Sequence, residues 1–171
     1  MHADIRPLKS TDAEAATQVI NAAAQWYASF LPPEEWTAPE MTTAQWLAEA
    51  ERMRWYGYWR TGALLGVMGL EPRLDAFLIR HAYVDPACQR GGVGSDLLTY
   101  LEAQCPASAR LIAGTYAANS RAARLFARYG YRQSADPDAV LRRYYDIPAA
   151  RRHTSITFEK RLPPVMAFNT A

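Results

Sequence analysis

Apolar residues recur along this chain with two different periods, and the switches between them lay out its elements. Residues 5–8 read as a first strand. Thr11 with Glu14 matches a capping box, after which residues 15–30 read as a helix with Val19, Ala22, Ala23 and Trp26 on one face. The segment LPPEEWTAPE breaks that helix, and a second one is expected over residues 42–54. Residues 55–60 read as a strand, and Thr61-Gly62 signals a turn. Residues 63–70 and 75–84 then form an apolar hairpin bounded by Glu71-Pro72. Val93, Leu97, Leu98 and Leu101 return to helical spacing until Pro106 approaches. A buried strand over 111–116, a helix opened by Asn119, a strand near 140–145 and a last strand over 154–160 complete the chain.

Composition narrows the class. The chain has 171 residues, half of them hydrophobic, enough to bury a core without disulfides or metal. There is no repeat, low-complexity tract or Gly/Ser linker, and no apolar run of about 18 residues that would span a membrane. The start, MHADIRPLKS, lacks an apolar signal core, which favours the cytoplasm. A net charge of +2 gives little support for nucleic-acid binding. Cys88 and Cys105 are too few and too far apart for a zinc site, and His2, His81 and His153 are too scattered to be ligands, so no metal is expected. Arg121, Arg124, Arg128, Arg142, Arg143, Arg151 and Arg152 read chiefly as a solvated, salt-bridged surface, the alternative being contacts to a ligand's phosphates or to an acidic acceptor.

The most informative stretch is residues 82–96, AYVDPACQRGGVGSD: an apolar strand, an Asp-Pro turn, a glycine loop and a helix start. Gly91, Gly92 and Gly94 permit close backbone approach and positive φ. The first amides of the following helix lack intrahelical partners and carry the positive end of its dipole, so an anion such as a diphosphate is the natural occupant. The spacing is Q-x-x-G-x-G on Gln89, Gly92 and Gly94. That is neither the dinucleotide pattern nor the P-loop, because no lysine follows the glycines.

This loop resembles the acetyl-CoA loop of the GNAT (Gcn5-related N-acetyltransferase) superfamily, Q/R-x-x-G-x-G/A after a strand ending in a Val-Asp-Pro-like turn. Residues 119–131, NSRAARLFARYGY, resemble the same family's later motif, in which an Asn opens a helix that ends in a Gly followed by an aromatic. Asn119 suits an N-cap and Gly130 a left-handed terminator. The layout resembles that family over residues 1–162 as a single domain, with 163–171 as a loosely held tail. The resemblance implies an α/β (α+β) acyl-CoA N-acyltransferase fold. Its central mixed, mostly antiparallel sheet would have six to seven strands flanked by about four helices. It implies acetyl-CoA as acyl donor, contacted by Tyr83, Val84, Gln89, Arg90, Gly91, Gly92, Val93, Gly94, Ser95, Asn119 and Phe126. The partner would be a primary amine of a small molecule or peptide, attacking the thioester directly in a ternary complex. No nucleic acid or membrane is implied, and a homodimer is left open.

Two positions depart from the family pattern. Phe126 stands where many members place a tyrosine that protonates the departing thiolate, and Leu78 stands where some place a glutamate base. Two other readings therefore stay open, a non-catalytic acyl-CoA sensor and a nucleotide-binding α/β protein whose loop merely looks alike. For proton removal, Glu71, Asp75 and His81 are candidates, with Glu71 the first choice. Glu71 is alternatively a solvated turn residue, and His81, alternating with Ile79 and Tyr83, a packed strand histidine. Tyr129, three residues beyond Phe126, is either the replacement hydroxyl or core. Cys88, in the cofactor loop, is a thiol with a favoured thiolate or a small filler. In the family the first two helices and last two strands frame the acceptor. There Trp26, Tyr27, Phe30, Trp36, Trp46, Tyr144 and Tyr145 are available, with Trp26, Trp36 and Tyr144 chosen as substrate-binding.

Overall fold

The computed structural model describes residues 4–164. Its strands are β1 (Asp4–Pro7), β2 (Arg54–Arg60), β3 (Ala63–Pro72), β4 (Phe77–Val84), β5 (Arg110–Tyr116), β6 (Arg132–Gln133) and β7 (Ser155–Arg161). Its α-helices are α1 (Ala13–Ala24), α2 (Thr43–Ala50), α3 (Val93–Ala103), α4 (Ser120–Arg128), α5 (Pro137–Tyr144) and α6 (Ala149–Arg152). The strands follow the order β1-β2-β3-β4-β5-β7-β6 in the sheet. The β1–β2, β2–β3, β5–β7 and β6–β7 ladders are all antiparallel. This is the mixed α/β, mostly antiparallel sheet that the sequence implied, with more and shorter helices. Contacts group the described residues into two units, 4–72 with 79–101 and 73–78 with 102–164. No helix among the described residues is long and apolar enough to cross a membrane.

In the first unit, α1 buries Ala13, Ala16, Val19, Ile20, Ala23 and Ala24 against Met53, Trp55, Leu64 and Val67. The helix starts two residues earlier than its sequence pattern implied and stops sooner. Asp12, rather than Thr11, makes the entry contact, its Oδ2 accepting from the Lys9 amide at 2.8 Å. The chain then tightens into a 3-10 turn over Gln25–Ser29. That change of pitch turns Trp26 onto Phe30, ring centroids 5.1 Å apart, and leaves Ala22 exposed, so neither lies on the α1 core face. Thr42 and Gln45 form a capping box on α2, Gln45 N donating to Thr42 Oγ1 and Thr42 N to Gln45 Oε1. Trp46 on α2 stacks on Trp55 of β2 at 5.2 Å, and both are almost fully buried.

The β3–β4 connection differs from the expectation. Glu71 and Pro72 are the last residues of β3, and the turn is made by residues 73–76, with Arg73 N donating to Ala76 O at 2.8 Å. Glu71 is therefore a strand residue with only 2% of its surface exposed, not a solvated turn residue.

In the second unit, Leu111, Ile112 and Ala113 of β5 are all buried, as in a strand covered on both faces. The strand expected near 140–145 is a helix, α5. Asp136 caps it by accepting from Ala139 N at 3.0 Å, Pro137 takes the first turn where no amide partner is needed, and Arg142 and Arg143 close the last turn. Its Leu141 and Tyr144 are buried while Arg142 and Arg143 point outward, a spacing that suits helix as well as strand. The penultimate strand is instead the two-residue β6. The 163–171 tail lies largely outside the described residues, as does His2.

Candidate active site

In the glycine loop Gly92 uses the positive φ that its sequence allows, Gly91 and Gly94 do not, and Arg90 takes φ +66°. Asp85 closes the turn after β4, its Oδ1 accepting from Ala87 N at 2.8 Å, and the Gln89 side chain ties the loop back by donating to Val84 O at 3.2 Å. Gly92 has φ +88°, a conformation L side chains rarely adopt, and its carbonyl accepts from Asp96 N to open α3. The chain therefore turns into α3 with Val93, Gly94 and Ser95 in its first turn, where backbone amides lack helical partners. Arg60 of β2 adds a cation beside this loop. Its guanidinium is pushed above its usual value, first by the Tyr58 hydroxyl hydrogen bond, with smaller contributions from Cys88 and Asp96. Cys88 is a free, half-buried thiol.

The titratable cluster of the first unit lies on β3, β4 and the end of α2. Arg80 Nη1 is 2.9 Å from Glu71 Oε2, and Arg52 Nη1 is 3.4 Å from Glu71 Oε1, so the buried Glu71 carboxylate is held between two guanidiniums. Next to it, His81 Nε2 lies 2.7 Å from Glu49 Oε2, and the imidazole stacks on Trp55 with centroids 5.1 Å apart. His81 has φ +53°, a non-glycine residue in the left-handed region, the kind of outlier that gathers at functional sites. Its side chain keeps 18% of its surface exposed. Burial lowers the imidazole below its usual value, against the opposing hydrogen bond and charge of Glu49. Burial pushes the Glu49 carboxyl up, but the His81 hydrogen bond and the charges of His81, Arg80 and Arg52 prevail and hold it at about 2. At neutral pH this is a carboxylate beside a neutral imidazole. Glu49, Arg52 and Arg80 were not singled out in the sequence, because nothing in its local spacing tells that the end of α2 meets β4.

Glu71 supplies a stability prediction. Glu71→Ala removes a buried carboxylate that contacts both Arg80 and Arg52, and breaking a buried pair from one side costs about 3–5 kcal/mol. A thermal melt should show a fall of roughly 6–20 °C, at about 2–4 °C per kcal/mol for a chain this size. A melt unchanged from wild type would show that the ion pairs contribute nothing.

Aromatic groups surround the same region. Tyr27 and Phe30 pack edge to face at 5.6 Å, Tyr27 lies 6.1 Å from Tyr83, and Tyr83 stacks with His81 at 6.5 Å. The Tyr83 hydroxyl donates to Glu40 Oε1 at 3.1 Å. Burial first, then Tyr27 and Glu40, push that phenol well above its usual value, so it stays a hydrogen-bond donor. Trp26 is half-buried on Phe30, and Trp36 is half-buried in the turn after Pro32, its amide donating to Pro32 O at 3.2 Å.

In the second unit, Asn119 caps α4 by accepting from Ala122 N at 3.1 Å through Oδ1. Gly130, φ +82°, ends that helix, and Tyr129 is its half-buried C-cap. Phe126 is buried against Tyr131 and Phe158, centroids 5.4 and 5.7 Å away. Leu78 packs with Ala76, Ile112 and Tyr144. Tyr144 is 5% exposed, its hydroxyl donating to Asp75 at 2.8 Å and accepting from Arg110 at 2.9 Å, so it anchors α5. Arg142, Arg143 and Arg152 form ion pairs with Asp138, Asp75 and Asp138 respectively, in line with the salt-bridged surface reading. Among the described residues, no three His, Cys, Asp or Glu side chains gather into a metal-binding group.

A mostly antiparallel α/β sheet, a strand running into a Q-x-x-G-x-G helix start and a later Asn-capped helix define an acyltransferase class of fold. A family model described as "Acetyltransferase (GNAT) family" matches residues 20–131, more than half of the chain and both motifs. The chain belongs to the GNAT acetyltransferase family. Among solved structures it is similar to the PaiA N-acetyltransferase of Thermoplasma acidophilum in complex with coenzyme A. That match has 16% identity, covers 94% of this chain and 99% of that chain, and has a TM-score of 0.69. The ribosomal-protein-S18-alanine N-acetyltransferase of Escherichia coli is 20% identical, with 99% of each chain covered and a TM-score of 0.68. The yncA protein of Salmonella typhimurium, solved with its cofactor acetyl-CoA, is 19% identical, with 99% of each chain covered and a TM-score of 0.65. At these identities the likeness is one of fold. No curated protein sequence gives a significant match.

Proposed function

We propose that this protein transfers the acetyl group of acetyl-CoA to a primary amine of a small molecule or peptide by direct attack in a ternary complex. The observation that carries the reading is the loop from Asp85 to the first turn of α3, with Gly92 at φ +88° where the chain enters the helix, in a chain of this family. Those amides are suited to the donor's diphosphate, and Arg60 supplies a cation beside them. Solved relatives that carry coenzyme A or acetyl-CoA support the same donor.

A thioester is already reactive, so the protein's main task is to hold it against a neutral amine. The amine nitrogen attacks the thioester carbonyl carbon, its surplus proton passes to a base, and the C–S bond breaks as the C–N bond is made. The departing thiolate then takes up a proton, giving the N-acetyl amine and free coenzyme A. With Glu71 engaged by Arg80 and Arg52, the proton-accepting role passes to His81, a neutral imidazole with part of its ring exposed. Tyr129 is the candidate donor to the thiolate in place of the hydroxyl that Phe126 lacks. Trp26 and Trp36 are candidates for the acceptor side, and the anchoring contacts of Tyr144 make it the weakest of the three. The test is thiol release from acetyl-CoA across a panel of amines, with mass spectrometry of the acceptor. A mass gain of one acetyl group on an amine, matched by released thiol, is expected. Binding of acetyl-CoA with no transfer to any amine would favour the sensor reading, for which the buried Phe126 is the supporting observation.

A further inference from the structure

We infer that Glu49 is the positioning residue for His81, its carboxylate accepting the Nε2–H and so leaving Nδ1 as the ring's base. The inference rests on the proposed use of His81 as proton acceptor. Two contacts define the ring. The stack on Trp55, interplanar angle 28°, sets its plane, and the 2.7 Å contact to Glu49 Oε2 decides which nitrogen faces the carboxylate. A carboxylate can only accept, and a neutral imidazole has a single N–H, so that N–H belongs on Nε2 and the lone pair on Nδ1. When Nδ1 takes the amine's proton, the imidazolium that forms is stabilised by the adjacent negative charge, the same logic by which a carboxylate orients a catalytic histidine elsewhere.

Charged groups meet this pair from three elements. From α2 and its end come Glu49 and Arg52, which are themselves paired at 2.9 Å. From β4 come Arg80 and the Tyr83 ring, and β3 adds Glu71, tied to both arginines. The two arginines and burial disfavour a proton on His81, and Glu49 is the group that opposes them. Glu49 thus both selects the basic nitrogen and keeps its basicity from falling further.

Glu49→Gln tests this with little change of shape. The acidic limb of kcat/KM should move to lower pH by about one unit, since an adjacent opposite charge shifts a pKa by about 1–3 units and this pair is partly exposed. A drop of about 10-fold in kcat should accompany it, with the acetyl-CoA-induced rise in melting temperature intact. A merely structural role would lower the melt and leave the limb in place. Imidazole nitrogen NMR on the wild-type protein at neutral pH needs no variant and should show His81 protonated on Nε2 and bare on Nδ1. A proton on Nδ1, or an acidic limb that Glu49→Gln leaves unmoved, overturns the inference. Full activity in a His81→Gln protein whose wild-type form shows the expected nitrogen pattern overturns the base reading instead, and with it any catalytic consequence of Glu49.

Discussion

Replacing His81 with glutamine lowers kcat/KM for the best amine by about 10²-fold or more, the usual scale for losing a general base. An amine with an ordinary pKa near 10 is mostly protonated at neutral pH, so the group that accepts its proton controls how much of it can attack. His81 suits this role because its ring is held by Trp55 and Glu49 and lies partly open. The sign of the pH dependence follows from its environment. Burial lowers the imidazole below its ordinary value, so activity should fall on the acid side, as the ring takes a proton, at a pH lower than an ordinary histidine would give. The glutamine variant should lose that acidic limb while the acetyl-CoA-dependent melting shift persists. If it keeps the wild-type rate and profile, proton removal belongs to Asp75, Glu71 or water.

Gly92→Val should abolish stabilisation by acetyl-CoA. A ligand at 100 times its dissociation constant contributes about 2.7 kcal/mol, or roughly 5–11 °C of melting temperature for a chain of this size. Valine at φ +88° is a steric outlier, because its branched Cβ meets the neighbouring carbonyl in the left-handed region. The loop must adopt another path, which removes the entry into α3 proposed to hold the donor's diphosphate. The cost to the unliganded fold is smaller, about 1–2 kcal/mol for one residue forced into that region, so the variant remains testable. Calorimetry or thermal melts with and without acetyl-CoA read both effects at once. An undiminished melting shift in the folded variant would remove the loop from the donor site.

Legibility followed the range of the interactions. The glycine loop and the Asn119–Gly130 helix were readable because their chemistry is local. A positive φ, an N-cap and a left-handed terminator each involve residues within a few positions, so the residue types announce them. The sheet and its central helices were readable for a related reason, since runs such as Leu111–Ala113 and the Val93–Leu101 spacing carry their own period. Helix α5 was misread because Val140, Leu141, Tyr144 and Tyr145 fit either period, and what decided for helix was the Asp136 cap with Pro137 behind it, together with the docking of Tyr144 on Asp75 and Arg110.

By itself, then, the order of residues determined the family fold and the donor loop, because turn chemistry and hydrophobic period act over one or two turns of chain. Only the tertiary structure decided which polar side chains gather around His81 and Glu71. Glu49 and His81 are separated by 32 positions, Glu71 and Arg52 by 19, and whether a carboxylate is a base or half of an ion pair depends on which cation folding brings within about 3 Å of it. Glu71 reads as the first-choice base in the chain and is a buried counter-ion in the fold. His81 is a candidate already in the chain, and the fold adds the stack on Trp55 and the carboxylate of Glu49.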